Sequence, residues 1–134
     1  MAQKAIDQMK DHKNGFALQI EGGKVDWAAH GNDIAALLSD QIAFDEAVKV
    51  VMDFAKKDKN TLVVITSDHG NANPGLIYGA KTNDNFDHLQ KFTHSNDWIL
   101  QGIHASSSTS FVKDRIAEAC GGFAITDEQA KELL

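Results

Sequence analysis

The sequence predicts an α/β fold: a partial parallel-sheet core with helices packed on at least two strands, followed by a helical appendage. Three observations carry that expectation. Two short apolar runs, at residues 16–20 and 61–66, read as buried strands. A long stretch of helical periodicity separates them. Each run also stops abruptly in turn-forming residues, at Glu21-Gly22-Gly23 and at Ser67-Asp68-His69-Gly70. Strand, helix, strand in that order implies a right-handed βαβ unit.

The elements follow in chain order. Ala5, Ile6 and Met9 recur at helical spacing over residues 2–13, and Asn14-Gly15 is a helix stop. Phe16-Ala17-Leu18-Gln19-Ile20 is the first expected strand. From Asn32, read as an N-cap, apolar residues return at Ile34, Leu37, Leu38 and Ile42. They shift phase to Phe44, Ala47, Val48, Val51 and Phe54, so this region is one long helix or two abutting ones. It ends at the polar residues 56–60. Thr61-Leu62-Val63-Val64-Ile65-Thr66 is the clearest strand, β-branched and apolar on both faces. Residues 71–95, rich in Asn, Asp and Gly, read as a long loop. Short helices are expected near 95–103, 109–120 and 127–133, the last capped by Thr126 with Gln129 completing a capping box. Ser106-Ser107-Ser108 reads as a linker. Residues 1–75 thus form the expected core, and 76–134 a loop plus helical region.

Composition narrows the function. The 134 residues carry a net charge of -6 with a pI near 5.4, a surface that does not attract nucleic acid or anionic lipid. Arg115 is the single arginine, so no arginine clamp for phosphate exists within the chain. Cys120 is the single cysteine, which excludes an internal disulfide and a CxxC knuckle; it is expected to be half-buried near a helix end. No apolar run is long enough to span a membrane. The first residues show no signal-peptide core and open directly into helical periodicity, as in a chain cut from something longer.

Two groups of ligand-type residues follow the two expected strands. Glu21, Asp26 and His30 form the first, Asp68 and His69 the second. In an open parallel sheet the carboxyl ends of strands form the ligand crevice, which puts both groups at one edge. Asp26 and His30 are four apart, so a helix over residues 25–31 places them on one face. Carboxylate and imidazole are good zinc donors. Asp68 and His69 are adjacent and need an irregular strand end to converge, which Gly70 permits. Glu21 is a hard oxygen donor suited to magnesium. Singly, an Asp-His-Gly is also a common turn, and an Asp-x-x-x-His is also a common solvated helix face. Their joint placement is what points to a divalent metal site.

These residues resemble a known family. Glu21-Gly-Gly-Lys-Val-Asp26-Trp-Ala-Ala-His30, then Asp45-Glu46-Ala47-Val48, then Thr61-Leu-Val-Val-Ile-Thr-Ser-Asp68-His69-Gly70, resemble alkaline phosphatases over residues 1–75. The resemblance implies a fragment of the carboxyl-side part of that catalytic domain, with residues 76–134 as a lineage-specific insertion. It implies Asp26 and His30 as ligands of a first zinc, Asp68 and His69 as ligands of a second, and Glu21 as a magnesium ligand. The reaction implied is hydrolysis of phosphate monoesters through a phosphoserine. The chain departs from the pattern in lacking the Asp-Ser-Ala that carries the nucleophilic serine; Ser39, Ser67 and Ser106 to Ser110 have the wrong context. It therefore supplies no catalytic nucleophile, and the isolated chain is expected to be inactive. A further zinc-binding histidine is also unplaced. His88, His94 and His104 lack its context, His94 being the best of the three. Trp27 stands where some relatives carry a basic residue near the phosphate.

A cofactor-independent phosphoglycerate mutase shares the Asp68-His69-Gly70-Asn71-Ala72 pattern but differs upstream, and the modified residue of a sulfatase is absent. A non-catalytic role for residues 76–134, as an interaction or gating element, is the remaining alternative. The resemblance further implies an exported parent, periplasmic or otherwise extracytoplasmic, acting as a homodimer on a phosphate monoester.

Overall fold

Residues 1–71 and 79–134 are described by the structure, a computed structural model of the chain. Helix α1, Ala2–Met9, follows from the spacing of Ala5, Ile6 and Met9, and Ile6 is buried. It stops short of the expected residue 13. Beyond it, single turns close from His12 N–H to the Met9 carbonyl and from Gly15 N–H to the His12 carbonyl.

Helix α2, Gly23–His30, and helix α3, Ile34–Asp58, are joined by a three-residue turn. Both α1 and α2 pack on α3. The α3 cap is Asp33 rather than the expected Asn32. One Asp33 oxygen accepts the Ala36 N–H at 3.0 Å, and the other accepts the Asn96 N–H at 2.6 Å. At 6 % exposure this carboxylate is the one buried charged side chain among the described residues, and two backbone donors satisfy it. Asn32 instead takes φ 50°, a left-handed conformation that Asn tolerates. The α3 helix runs unbroken through the change of apolar phase and is about 37 Å long. Leu37 before the change and Phe44, Ala47, Val48, Val51 and Phe54 after it all line one open cleft of about 1490 Å³. Lys59 closes the helix at φ 64°, donating its N–H to the Ala55 carbonyl.

The expected parallel sheet is not formed. Among the described residues there is no strand, and the fold is helical. Residues 16–20 and 61–66 carry strand-type sequences but make no ladder hydrogen bonds. Both segments line the cleft instead of pairing across it. The physical reason is that strand propensity prepares a backbone to pair and cannot supply the partner. With no neighbour, apolar side chains of the second segment stay in solvent: Leu62 is 86 %, Val64 75 % and Ile65 61 % exposed. The first segment is better covered, with Phe16 tilted against Phe54 at 6.1 Å between ring centroids.

Residues 72–78, within the expected loop, lie outside the described residues. The rest of that stretch is not all loop, because Thr82–Leu89 forms helix α4. Helices α5, Asn96–Gln101, α6, Thr109–Ala119, and α7, Asp127–Glu132, match the three short helices read from the sequence. Ser95 and Ser108 cap α5 and α6 through their hydroxyls. The serine run is therefore a helix start rather than a linker, and Ser107 Oγ also accepts the His104 N–H at 3.1 Å. The capping box on α7 is formed: Thr126 Oγ1 accepts the Gln129 N–H at 3.2 Å, and Gln129 Oε1 accepts the Thr126 N–H at 2.9 Å. Ile99, Val112, Ile116, Ala119, Cys120 and Ala130 make the core of this half, flanked by Phe92, Trp98, Ile103 and Ile125. Cys120 is buried rather than half-buried. Burial, with a smaller contribution from the Asp33 charge, pushes its thiol pKa up, which suits an inert core residue.

Candidate metal centre

Helix α2 places the first pair. Asp26 lies in its first turn and His30 in its last, one turn apart on the same face. The result is an Asp26 Oδ1 to His30 Nε2 separation of 3.6 Å. The second pair sits on a turn shaped by its own side chains. Ser67 donates its hydroxyl to the His69 carbonyl at 2.8 Å, and the His69 N–H donates to Asp68 Oδ1 at 3.0 Å. Here His69 Nε2 lies 3.6 Å from Asp68 Oδ2.

The two pairs meet. His69 Nε2 is also 3.6 Å from Asp26 Oδ1, so one carboxylate oxygen faces two imidazoles that are far apart in sequence. Asn71 completes the junction, donating from Nδ2 to Asp26 Oδ1 at 2.9 Å and approaching the Asp26 main-chain oxygen at 3.4 Å. All four ligand-type side chains are open to solvent, from Asp26 at 37 % to Asp68 at 89 %.

The donor chemistry fits a divalent cation in pairs. Two donors each about 2.0–2.2 Å from a tetrahedral zinc lie roughly 3.3–3.6 Å apart, and each carboxylate–imidazole pair shows 3.6 Å. A separation of 3.6 Å is too long for a hydrogen bond, so the lone pairs on these oxygens facing the imidazoles are not used up by them. Among the described residues no three His, Cys, Asp or Glu side chains converge on one cation-sized point. Each ion would accordingly take two protein donors from the described residues and complete its shell elsewhere.

Glu21 stands apart. It lines the same cleft as Asp26, Asp68 and His69, but it forms no ion pair or hydrogen bond with them. Its carboxylate lies over the start of α2, where a Cβ added to Gly23 would sit 3.4 Å from Oε1. The three later histidines stay away from this cluster. His88 Nε2 pairs with the Cys120 carbonyl at 2.9 Å, and its ring packs against Phe92 and Phe123. His94 stacks on Trp98 with 3.8 Å between centroids, its Nδ1 2.9 Å from Thr93 Oγ1. His104 is exposed. Arg115, already set aside as a phosphate clamp, is fully engaged elsewhere. It donates to the Ile99 and Trp98 carbonyls and covers the Trp98 ring at 3.8 Å.

Asn71 is the participant that sequence reasoning missed. Its partner is 45 residues away, and no local pattern marks an asparagine after glycine as a carboxylate donor.

Two acid–imidazole pairs thus meet at Asp26 Oδ1, and Asp26, Asp68 and His69 of them line one cleft. The family model described as alkaline phosphatase matches residues 1–115, which runs past the core boundary into the helical half. The chain belongs to the alkaline phosphatase family. It is 38% identical over 119 residues to alkaline phosphatase 3 of Bacillus subtilis, covering 88% of this chain and 23% of that protein. To alkaline phosphatase 4 of the same organism it is 43% identical over 86 residues, 64% of this chain and 18% of that one. The repressible alkaline phosphatase of Saccharomyces cerevisiae is 31% identical over 150 residues, 98% of this chain and 26% of its own length. The chain thus spans between 18% and 26% of the length of these relatives.

Proposed function

We propose that residues 1–71 carry part of the metal centre of a phosphomonoesterase. Asp26 and His30 hold one zinc, Asp68 and His69 hold a second, and Glu21 holds a magnesium ion. The supporting observation is the 3.6 Å carboxylate–imidazole spacing within each pair, Asp26 with His30 and Asp68 with His69, which suits two ligands of one ion. The alkaline phosphatase family is generally metal-dependent, which supports the same reading. When bound, zinc supplies a Lewis acid and a water that ionises near neutral pH.

The chain's own residues do the rest. The α2 backbone fixes Asp26 and His30 one turn apart, so their geometry is set before any ion arrives. The Ser67 hydroxyl bond holds the turn that presents His69 toward Asp26. Glu21, at the mouth of the cleft, offers oxygen donors for a harder ion. The whole enzyme, on this reading, hydrolyses phosphate monoesters through a phosphoserine. It does so as an extracytoplasmic or periplasmic homodimer. No Asp-Ser-Ala occurs among the 134 residues, so the isolated chain binds metal without turning over substrate. An acidic surface agrees with a small-molecule substrate rather than nucleic acid. Among the described residues no helix is long and apolar enough to cross a membrane.

Calorimetric titration of the purified chain with zinc tests this reading, run beside an Asp68→Ala, His69→Ala double variant. Saturable binding is expected, with one site lost in the double variant and no hydrolysis of p-nitrophenyl phosphate by either chain. Weak, non-stoichiometric binding that the double change leaves alone would contradict it.

A further inference from the structure

Asp26 is exposed enough for its carboxylate to sample several rotamers, yet its orientation toward two imidazoles depends on one of them. A single side chain holds it there. The Asn71 amide donates to Oδ1 at 2.9 Å and reaches the main-chain oxygen of the same residue at 3.4 Å, so it fixes the carboxylate relative to its own backbone. These two contacts of the Asn71 amide are the only hydrogen bonds, among the described residues, that join the 67–71 segment to α2. A carboxylate offers about four lone-pair positions, and the amide occupies one of them. That position is on Oδ1, the oxygen both imidazoles face, so one lone pair of Oδ1 and both of Oδ2 stay free, because 3.6 Å is beyond hydrogen-bond length.

We infer that Asn71 is a positioning residue for Asp26: its amide holds the carboxylate facing His30, so that the Asp26–His30 pair is set to take a divalent cation. The inference rests on the metal-centre reading above. Donors behind metal ligands tune affinity by orienting them, and their loss typically costs about 10–100-fold in metal binding. The competing explanation is a clasp, in which Asn71 merely tethers the His69 turn to α2. The two differ at the Asp26–His30 pair, which is local to α2 and needs no tether. A positioning residue matters to that pair even when the second pair is gone, whereas a clasp does not.

The experiment therefore uses the full chain carrying Asp68→Ala and His69→Ala, titrated with zinc alone by calorimetry, with Asn71→Ala and Asn71→Gln added in turn. Thermal unfolding of each metal-free chain is followed by circular dichroism. The expected result is a 10–100-fold weaker zinc site in Asn71→Ala and partial recovery in Asn71→Gln, which keeps the amide donor. The metal-free unfolding midpoints should stay together. Equal zinc affinity with and without Asn71 overturns the positioning role while leaving the metal-centre reading intact. A loss that Asn71→Gln does not reduce, or one matched by a fallen metal-free midpoint, also overturns it. Absence of saturable zinc binding in the unmodified chain overturns both.

Discussion

Asp26→Ala is expected to weaken zinc binding by the whole chain by roughly a hundredfold or more, equivalent to about 3 kcal/mol for one lost protein ligand. Its carboxylate is the point at which both ligand pairs meet, within 3.6 Å of His30 and of His69. Removing it leaves His30 without its acidic partner, leaves His69 with Asp68 alone, and strands the Asn71 amide. The cost to folding should be small, because the side chain is solvent-accessible and lies outside the buried core. Trp27→Ala is the informative neighbour. Trp27 is 71 % exposed and lies outside the ligand cluster, so its replacement should leave zinc affinity unchanged. Calorimetry on the two variants separates them. Similar losses in both would mean that α2, rather than the carboxylate, is what the ion requires.

The largest expected effect on stability belongs to Gly121. It follows Cys120, the C-cap of α6, at φ +61°, and Gly122 N–H returns to the Ala117 carbonyl at 2.7 Å, closing a Schellman-type cap. An alanine here meets two obstacles. The left-handed backbone costs about 1 kcal/mol without glycine. The new Cβ would also stand 2.5 Å from the Lys91 Cβ and 2.8 Å from its carbonyl oxygen, and backbone cannot step aside as a flexible side-chain end can. Together these predict a loss of roughly 2–4 kcal/mol. Gly122→Ala is the control: φ is +84°, but nothing lies within 4 Å of the added Cβ, so only the conformational cost of about 1 kcal/mol applies. Urea unfolding of both variants measures the difference. Equal destabilisation would show that the Lys91 contact carries no weight.

Much of this was legible in the sequence, and the failures have identifiable causes. The long α3 helix, the three short helices after residue 95 and the Thr126–Gln129 box could be read because their signals are local. The α4 helix could not. Its Thr-Asn-Asp-Asn opening has low helix propensity, and the segment is held instead by His88 packing on Phe92 and Phe123. The α3 cap was misplaced by one residue because Asn32 and Asp33 are both good capping types; the Asn96 N–H, 63 residues away, tells them apart in the fold.

The sheet is the larger error. Residues 61–66 have every local mark of a strand, but a ladder needs a second backbone at pairing distance, and local sequence contains no information about whether one is present. The candidate site divides along the same line. Asp26 with His30 could be found from helical spacing, and Asp68 with His69 from their place after an apolar run. Asn71 was invisible because its role exists only once two distant segments touch.

The central claim is that the metal centre is built on Asp26, His30, Asp68 and His69 and on none of the later histidines. The chain has six histidines, which a ¹⁵N-edited imidazole spectrum can follow individually as zinc is added. The account predicts that His30 and His69 respond to the first equivalents while His88, His94 and His104 keep their positions. Early movement of His88 or His94, with His30 and His69 unchanged, would contradict it.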